Sequence, residues 1–142
     1  MARIIAFFNQ KGGTAKTTST LNVAAALAER GRRILTIDMD PQASLTMATG
    51  VDIAALDASI YDLLLDDRLD LPSLAVPTSI LGVSLVPSHP DLAAAELELL
   101  NVLERERQLE QRLERGDLSA WDYVLIDAPP ALNYDRAAKG DT

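Results

Sequence analysis

The amino-acid sequence predicts an α/β fold, a three-layer α/β/α arrangement around a mainly parallel sheet of about four core strands. Three observations carry that expectation. The opening segment, up to Asp38, reads strand, helix, strand, a unit whose strands run parallel with a right-handed crossover. Short apolar runs then recur between helical periodicities as far as Asp127. Finally, the chain has 142 residues, 48% hydrophobic and 24% charged, the make-up of a globular domain able to bury a core. Residues 1–142 read as a single domain, without repeats, low-complexity tracts or a linker.

Each element has a local reason. Arg3-Ile-Ile-Ala-Phe-Phe8 is a continuous apolar run, the pattern of a strand buried on both faces. Asn9 to Thr14 is a loop containing Gly12 and Gly13. Thr17 to Arg30 reads as a helix with Leu21, Ala24, Ala25 and Ala28 on one face, and Gly31 stands where a C-terminal cap belongs. Arg33-Ile-Leu-Thr-Ile37 is a second buried strand, closing at Asp38. Ser59 to Asp67 is a short helix with Ile60, Leu63 and Leu64 apolar. Pro72, Pro77, Pro87 and Pro90 punctuate the next stretch, around a third strand, Val83-Ser-Leu-Val86. Asp91 to Arg115 is the longest helix. Its apolar residues Leu92, Ala95, Leu99, Val102, Leu109 and Leu113 keep helical spacing except for one gap. Gly116 ends it, and Asp122-Tyr-Val-Leu-Ile126 is a fourth strand, ending at Asp127.

Composition excludes several function classes. No run of eighteen apolar residues exists, which excludes a transmembrane helix. The short apolar run after Met1-Ala2-Arg3 is wrongly flanked for a secretory signal, so the expected compartment is the cytoplasm. With no cysteine there are no disulfides, iron–sulfur clusters or cysteine nucleophiles. The net charge is −8, unevenly spread: residues 1–40 carry six basic and three acidic side chains, the remainder seven and eighteen. An acidic chain is a poor non-specific ligand for nucleic acid. The basic excess surrounds one glycine-containing segment.

That segment is Lys11-Gly12-Gly13-Thr14-Ala15-Lys16-Thr17-Thr18, between a strand and a helix. Binding a phosphate takes backbone N–H groups aimed at it, small residues that permit close approach, and a positive helix end. A lysine to offset charge and a hydroxyl to ligate Mg²⁺ complete the set. Gly12, Gly13, Lys16 and Thr17 supply these in order. The strict G-x-x-x-x-G-K-[ST] pattern is not met, since Gln10 and Ala15 occupy its two glycine positions. An ordinary polar strand-to-helix turn is the simpler alternative.

Two further motifs weigh against that alternative. Phe8-Asn-Gln-Lys-Gly-Gly-Thr-Ala-Lys-Thr-Thr18, Ile37-Asp-Met-Asp-Pro-Gln42 and Val124-Leu-Ile-Asp-Ala-Pro-Pro130 stand in order along the chain. Together they resemble the ParA/MinD group of deviant Walker A ATPases, most closely the ParA-type partition proteins. Ile60-Tyr-Asp-Leu-Leu64 and Leu92-Ala-Ala-Ala-Glu-Leu97 are also similar to family sequence, and the resemblance runs over roughly residues 1–131.

The resemblance implies a P-loop NTPase-like fold and an Mg²⁺-dependent ATPase that serves DNA segregation or cargo positioning. It implies roles position by position. Residues Lys11, Gly12, Gly13, Thr14, Ala15, Lys16, Thr17 and Thr18 would cradle the nucleotide. Lys16 would neutralise the β/γ-phosphates, and Lys11 would reach the nucleotide of the facing subunit in an ATP-sandwich homodimer. Asp40 would orient the attacking water. Thr17 and Asp127 would hold the metal, with Asp38 assisting. These roles suit phosphoryl transfer, which is mostly positioning and charge stabilisation. A ParB-like activator is the partner the resemblance adds. The ordinary alternative for each aspartate is a turn residue at a strand end.

Other residues take bland readings. His89, between prolines, reads as a solvated turn residue, Trp121 as packing, and Glu104-Arg-Glu-Arg107 as a solvated helix face. Ala15 adds a methyl group where the family usually has glycine. The adenine-contacting region and DNA-binding basic residues of the family lie in its C-terminal half, so neither transfers to a position here. A non-hydrolysing nucleotide-binding regulatory or interaction remnant is the second functional reading. The family's sheet would set the four strands in the order third, second, fourth, first, leaving the first strand at an edge.

Overall fold

The structure, a computed structural model, describes residues 2–7, 14–90 and 102–128. Its strands are β1 (Arg3–Phe7), β2 (Ile34–Asp38), β3 (Val76–Pro77), β4 (Val83–Val86) and β5 (Tyr123–Asp127). Its helices are α1 (Thr14–Glu29), α2 (Ser44–Ala48), α3 (Ile60–Leu65), α4 (Leu71–Leu74) and α5 (Val102–Arg115), with a 3₁₀ turn at Ile53–Ala55. The strands form one sheet in the order β1-β5-β2-β4-β3. All pairings are parallel except β3 with β4, which is antiparallel. The four expected strands therefore stand in the expected order, and β3 adds a fifth.

Strand alternation explains the layering. Leu35 and Ile37 of β2, with Val124 and Ile126 of β5, point to one face, where they pack with Ile60, Leu63 and Leu64 of α3, Leu71 of α4 and Leu109 of α5. Ile34, Val83 and Leu125 point to the other face, against Ala24 of α1. β2 is buried at all five positions; Ile34, Leu35 and Ile37 suit a strand covered on both faces, and the Thr36 hydroxyl is satisfied by the Ser84 carbonyl at 2.8 Å.

β1 departs from the sequence expectation. Instead of being buried on both faces, it is exposed at four of its five positions, with Ile4 at 47% and Ile5 at 39%. Among the described residues it pairs only with β5, so its apolar run is placed at an edge.

Helix ends follow local chemistry. Gly31 adopts φ 81° after α1, the left-handed geometry that favours glycine at a C-terminal cap. Ser59 caps α3 through a reciprocal capping box with Asp62. The expected long helix is described from Val102 onward; residues 91–101 lie outside the described set. Within it the charged run is not wholly solvated, for Arg105 is buried and fills the gap in the apolar spacing. Arg112 is buried as well. It donates to the Leu63 carbonyl at 2.8 Å and to Asp67 Oδ1 at 3.1 Å, closing the open end of α3. Trp121 packs against the larger core cluster, as expected.

Candidate functional site

The parallel strands end together, which brings Asp38 of β2 beside Asp127 of β5 in register. Ligands of open α/β sheets bind at this carboxyl edge. α1 starts at the same edge with Thr14, three residues earlier than the sequence suggests. Its first turn presents Lys16 and Thr17, both buried, toward Asp127, and Lys16 also reaches Asp40 just past the end of β2.

Lys16 Nζ lies 3.1 Å from Asp127 Oδ1 and 3.3 Å from Asp40 Oδ2, and it donates to the Ala128 carbonyl. Thr17 Oγ1 donates to Asp127 Oδ2 at 3.0 Å. Thus Lys16, Thr17, Asp40 and Asp127, separated by as many as 111 positions, meet in one cluster. Asp38 joins it from behind. Its Oδ1 accepts from the Asp40 amide at 3.0 Å, and its Oδ2 from the Thr46 amide and hydroxyl at 2.9 and 2.7 Å. All three donors belong to the protein.

The electrostatics follow from burial. Desolvation pushes the Asp38 carboxyl up to about 7, against the opposing hydrogen bonds from Thr46 and Asp40. Burial also raises Asp127, opposed by the Lys16 charge and the Thr17 hydroxyl. Asp40 and Asp127 both face the single Lys16 ammonium, a balance of charge that favours a further cation. Asp127 Oδ1 is buried, and the Lys16 ammonium at 3.1 Å is the partner it meets among the described residues. The hydroxyl and carboxylate oxygens there suit a hard cation such as Mg²⁺. Among the described residues no group of three or more His, Asp or Glu is arranged as a metal cage. Mg²⁺ in phosphate sites takes one or two protein ligands with phosphate and water, which fits that sparse donor set.

Of the remaining predicted residues, Lys11, Gly12 and Gly13 lie outside the described set, and Thr14 and Ala15 are described only as backbone. Thr18 is exposed on α1. Sequence reasoning missed Thr46 and Ser88. Ser88 donates its amide to Thr46 Oγ1 at 3.0 Å and its hydroxyl to the Asp40 carbonyl at 2.8 Å. No motif in the sequence points to either hydroxyl, since they lie 42 positions apart. His89, read as a solvated turn residue, is half-buried. Ala43 holds φ 58°, an uncommon conformation for a residue with a β-carbon, inside the loop that carries Asp40.

A mainly parallel sheet with a lysine and a threonine at the first turn of the crossover helix, facing Asp127 at the end of one strand and Asp40 just past the end of the next, defines a P-loop NTPase-type domain. The profile of the AAA domain family matches residues 2–137. The chain belongs to that family, and to its ParA/MinD-type P-loop ATPases. The sporulation initiation inhibitor protein Soj of Bacillus subtilis is 39% identical over 132 residues, covering 93% of this chain and 51% of Soj. The chromosome partitioning protein ParA of Myxococcus xanthus is 42% identical over 132 residues, covering 93% and 46%. A crystal structure of cobyrinic acid a,c-diamide synthase from Mycobacterium smegmatis with bound ADP and magnesium is 42% identical with a TM-score of 0.78, covering 93% and 53%. The chain spans about half the length of the curated relatives it matches. Among the described residues no helix is long and apolar enough to cross a membrane.

Proposed function

We propose that this chain binds Mg-ATP at the segment Lys11–Thr18 and hydrolyses it slowly, as a partition-type ATPase whose dimerisation depends on ATP. The observation that carries the reading is the convergence of Lys16, Thr17, Asp40 and Asp127 at the carboxyl edge of the sheet. Relatives with different names share this half at similar identity, so the half reads as the nucleotide module and not the cargo module.

Lys16 neutralises phosphate charge once it leaves its present carboxylate partners. Thr17 and Asp127 hold the magnesium ion, which when bound supplies charge compensation at the phosphate oxygens. Asp40 orients water. Asp38 serves the Asp40 loop in place of the metal, since three of its roughly four acceptor positions are taken by protein donors. Lys11 reaches across to a second copy, and a ParB-like protein stimulates turnover. The cytoplasm is the compartment where such an enzyme works.

Calorimetry with Mg-ATP and phosphate-release assays test the assignment. Lys16→Ala is expected to weaken ATP binding about ten- to hundredfold, the loss of one charge-assisted contact. Asp40→Ala is expected to leave binding intact and lower phosphate release about a hundredfold or more. Lys11→Ala spares binding and removes ATP-linked dimers. Unchanged phosphate release in Asp40→Ala would show that another group handles the water. Binding without turnover in the unsubstituted chain would favour the non-hydrolysing regulatory reading.

A further inference from the structure

Behind Asp40 a closed ring of hydrogen bonds runs through three separate elements. The Asp40 amide donates to Asp38 Oδ1 at 3.0 Å, and Asp38 Oδ2 accepts from the Thr46 hydroxyl at 2.7 Å. Thr46 Oγ1 in turn accepts from the Ser88 amide at 3.0 Å, and the Ser88 hydroxyl returns to the Asp40 carbonyl at 2.8 Å. The ring begins and ends on the two main-chain polar groups of one residue. Asp38, Thr46 and Ser88 are fully buried, so no water competes for these groups.

Part of this pattern is local. An aspartate accepting from the amide two residues on is an Asx turn, which needs neither hydroxyl. The Ser88 leg is different, because it crosses 48 positions to reach Asp40 and 42 to reach Thr46. Thr46 uses its single proton on Asp38 and a lone pair on Ser88, so a side chain of the same shape without the hydroxyl loses both links. The segment that carries Ser88 is itself anchored, since the Ile60 amide donates to the Pro87 carbonyl at 2.7 Å. With the main chain held in this way, the Asp40 carboxylate takes the Gln42 amide on Oδ1 and Lys16 on Oδ2.

We propose that Thr46 and Ser88 are positioning residues for Asp40: they fix its backbone so that its carboxylate is presented to the phosphate site, and they couple the segment after β4 to that site. This rests on Asp40 being the water-orienting group. A displacement of Ser88 is transmitted to Asp40 directly through one hydrogen bond and, by way of Thr46 and Asp38, through three more.

The test uses the 142-residue chain with Thr46→Val, Thr46→Ser and Ser88→Ala. Amide exchange by NMR, Mg-ATP calorimetry and phosphate release are read together. Thr46→Val is expected to speed exchange of the Asp40 and Ser88 amides and lower kcat about ten- to hundredfold, the cost of a misplaced group. KM and ATP affinity stay within about twofold, because no ground-state contact is lost. Thr46→Ser restores both exchange and turnover. Ser88→Ala, which deletes only the hydroxyl leg, gives the same signs with smaller size and serves if Thr46→Val fails to fold. Unchanged exchange at Asp40 in Thr46→Val and Ser88→Ala would overturn the inference whatever the turnover. If the unsubstituted chain binds ATP without releasing phosphate while the variants still show the exchange changes, the ring stands and it is the hydrolytic role of Asp40, from the proposed function, that fails.

Discussion

Asp38 holds a fully buried carboxyl beside a second buried aspartate, and burial pushes its pKa from 3.8 up to about 7. In the unfolded chain the group ionises near its ordinary value, so between about pH 4 and 7 the folded state holds a proton that the unfolded state has released. Stability therefore falls as pH rises through that window and levels off above it. Asp127, also raised by burial, adds to the same slope, while Lys16 limits it. Urea midpoints from pH 5 to 8 are expected to fall, and Asp38→Asn is expected to flatten the trend while lowering stability throughout. The lowering follows because an amide in place of a carboxylate turns a donor toward one of three protein donors. A flat midpoint profile in the unsubstituted chain would refute the assignment. Lys16, Thr17, Asp40 and Asp127 were legible at this scale because each sits in a motif with a stated chemical need. Thr46 and Ser88 were not, because hydroxyls far apart in the chain carry no signal until folding joins them.

Among the elements, α5 shows how a helix can be misread from composition alone. Its charged run Glu104–Arg107 looks solvated in sequence, yet Arg105 faces inward; further along the helix Arg112 does too, and its guanidinium ends on the Leu63 carbonyl and Asp67. The two partners of that ion pair are unequal. Arg112 has 1% of its side chain exposed and Asp67 has 83%. Arg112→Ala is expected to cost about 3 kcal/mol, since it strips packing and leaves a buried carbonyl without its donor. Asp67→Ala is expected to cost below about 1 kcal/mol, as exposed partners contribute little. Chemical denaturation of both variants decides it, and equal losses would contradict the structural account. The capping signals were more readable. Ser59 with Asp62, and Gly31, stood where local backbone chemistry places them.

At the scale of the whole molecule, the two edges of the sheet among the described residues differ in kind. At one edge β3 is two residues long and contains Pro77, which cannot donate to a further strand. At the other, β1 presents five residues without proline, exposing Ile4 and Ile5. Such an edge pairs readily with another strand. The chain is expected to self-associate through Ile4–Phe7 as concentration rises, and Ala6→Lys is expected to shift it toward monomer or to unfold it. Sedimentation equilibrium checks this, and a stable monomer at high concentration would refute it.

What the sequence determined by itself is local or periodic. Apolar runs specified the strands of the parallel sheet, glycine and serine specified helix ends, and three ordered motifs specified the phosphate chemistry. Strand order matched the family expectation because short crossovers and fixed handedness leave few arrangements. The tertiary structure alone decided what depends on which surfaces meet. It left β1 exposed although its sequence reads as buried, since an apolar run is buried only when neighbours cover it. It turned Arg105 of the charged run inward, and with it Arg112, which supplies the donor that the Leu63 carbonyl at the end of α3 needs. And it joined Asp40 to Thr46 and Ser88, since hydrogen bonds act over about 3 Å whatever the separation along the chain.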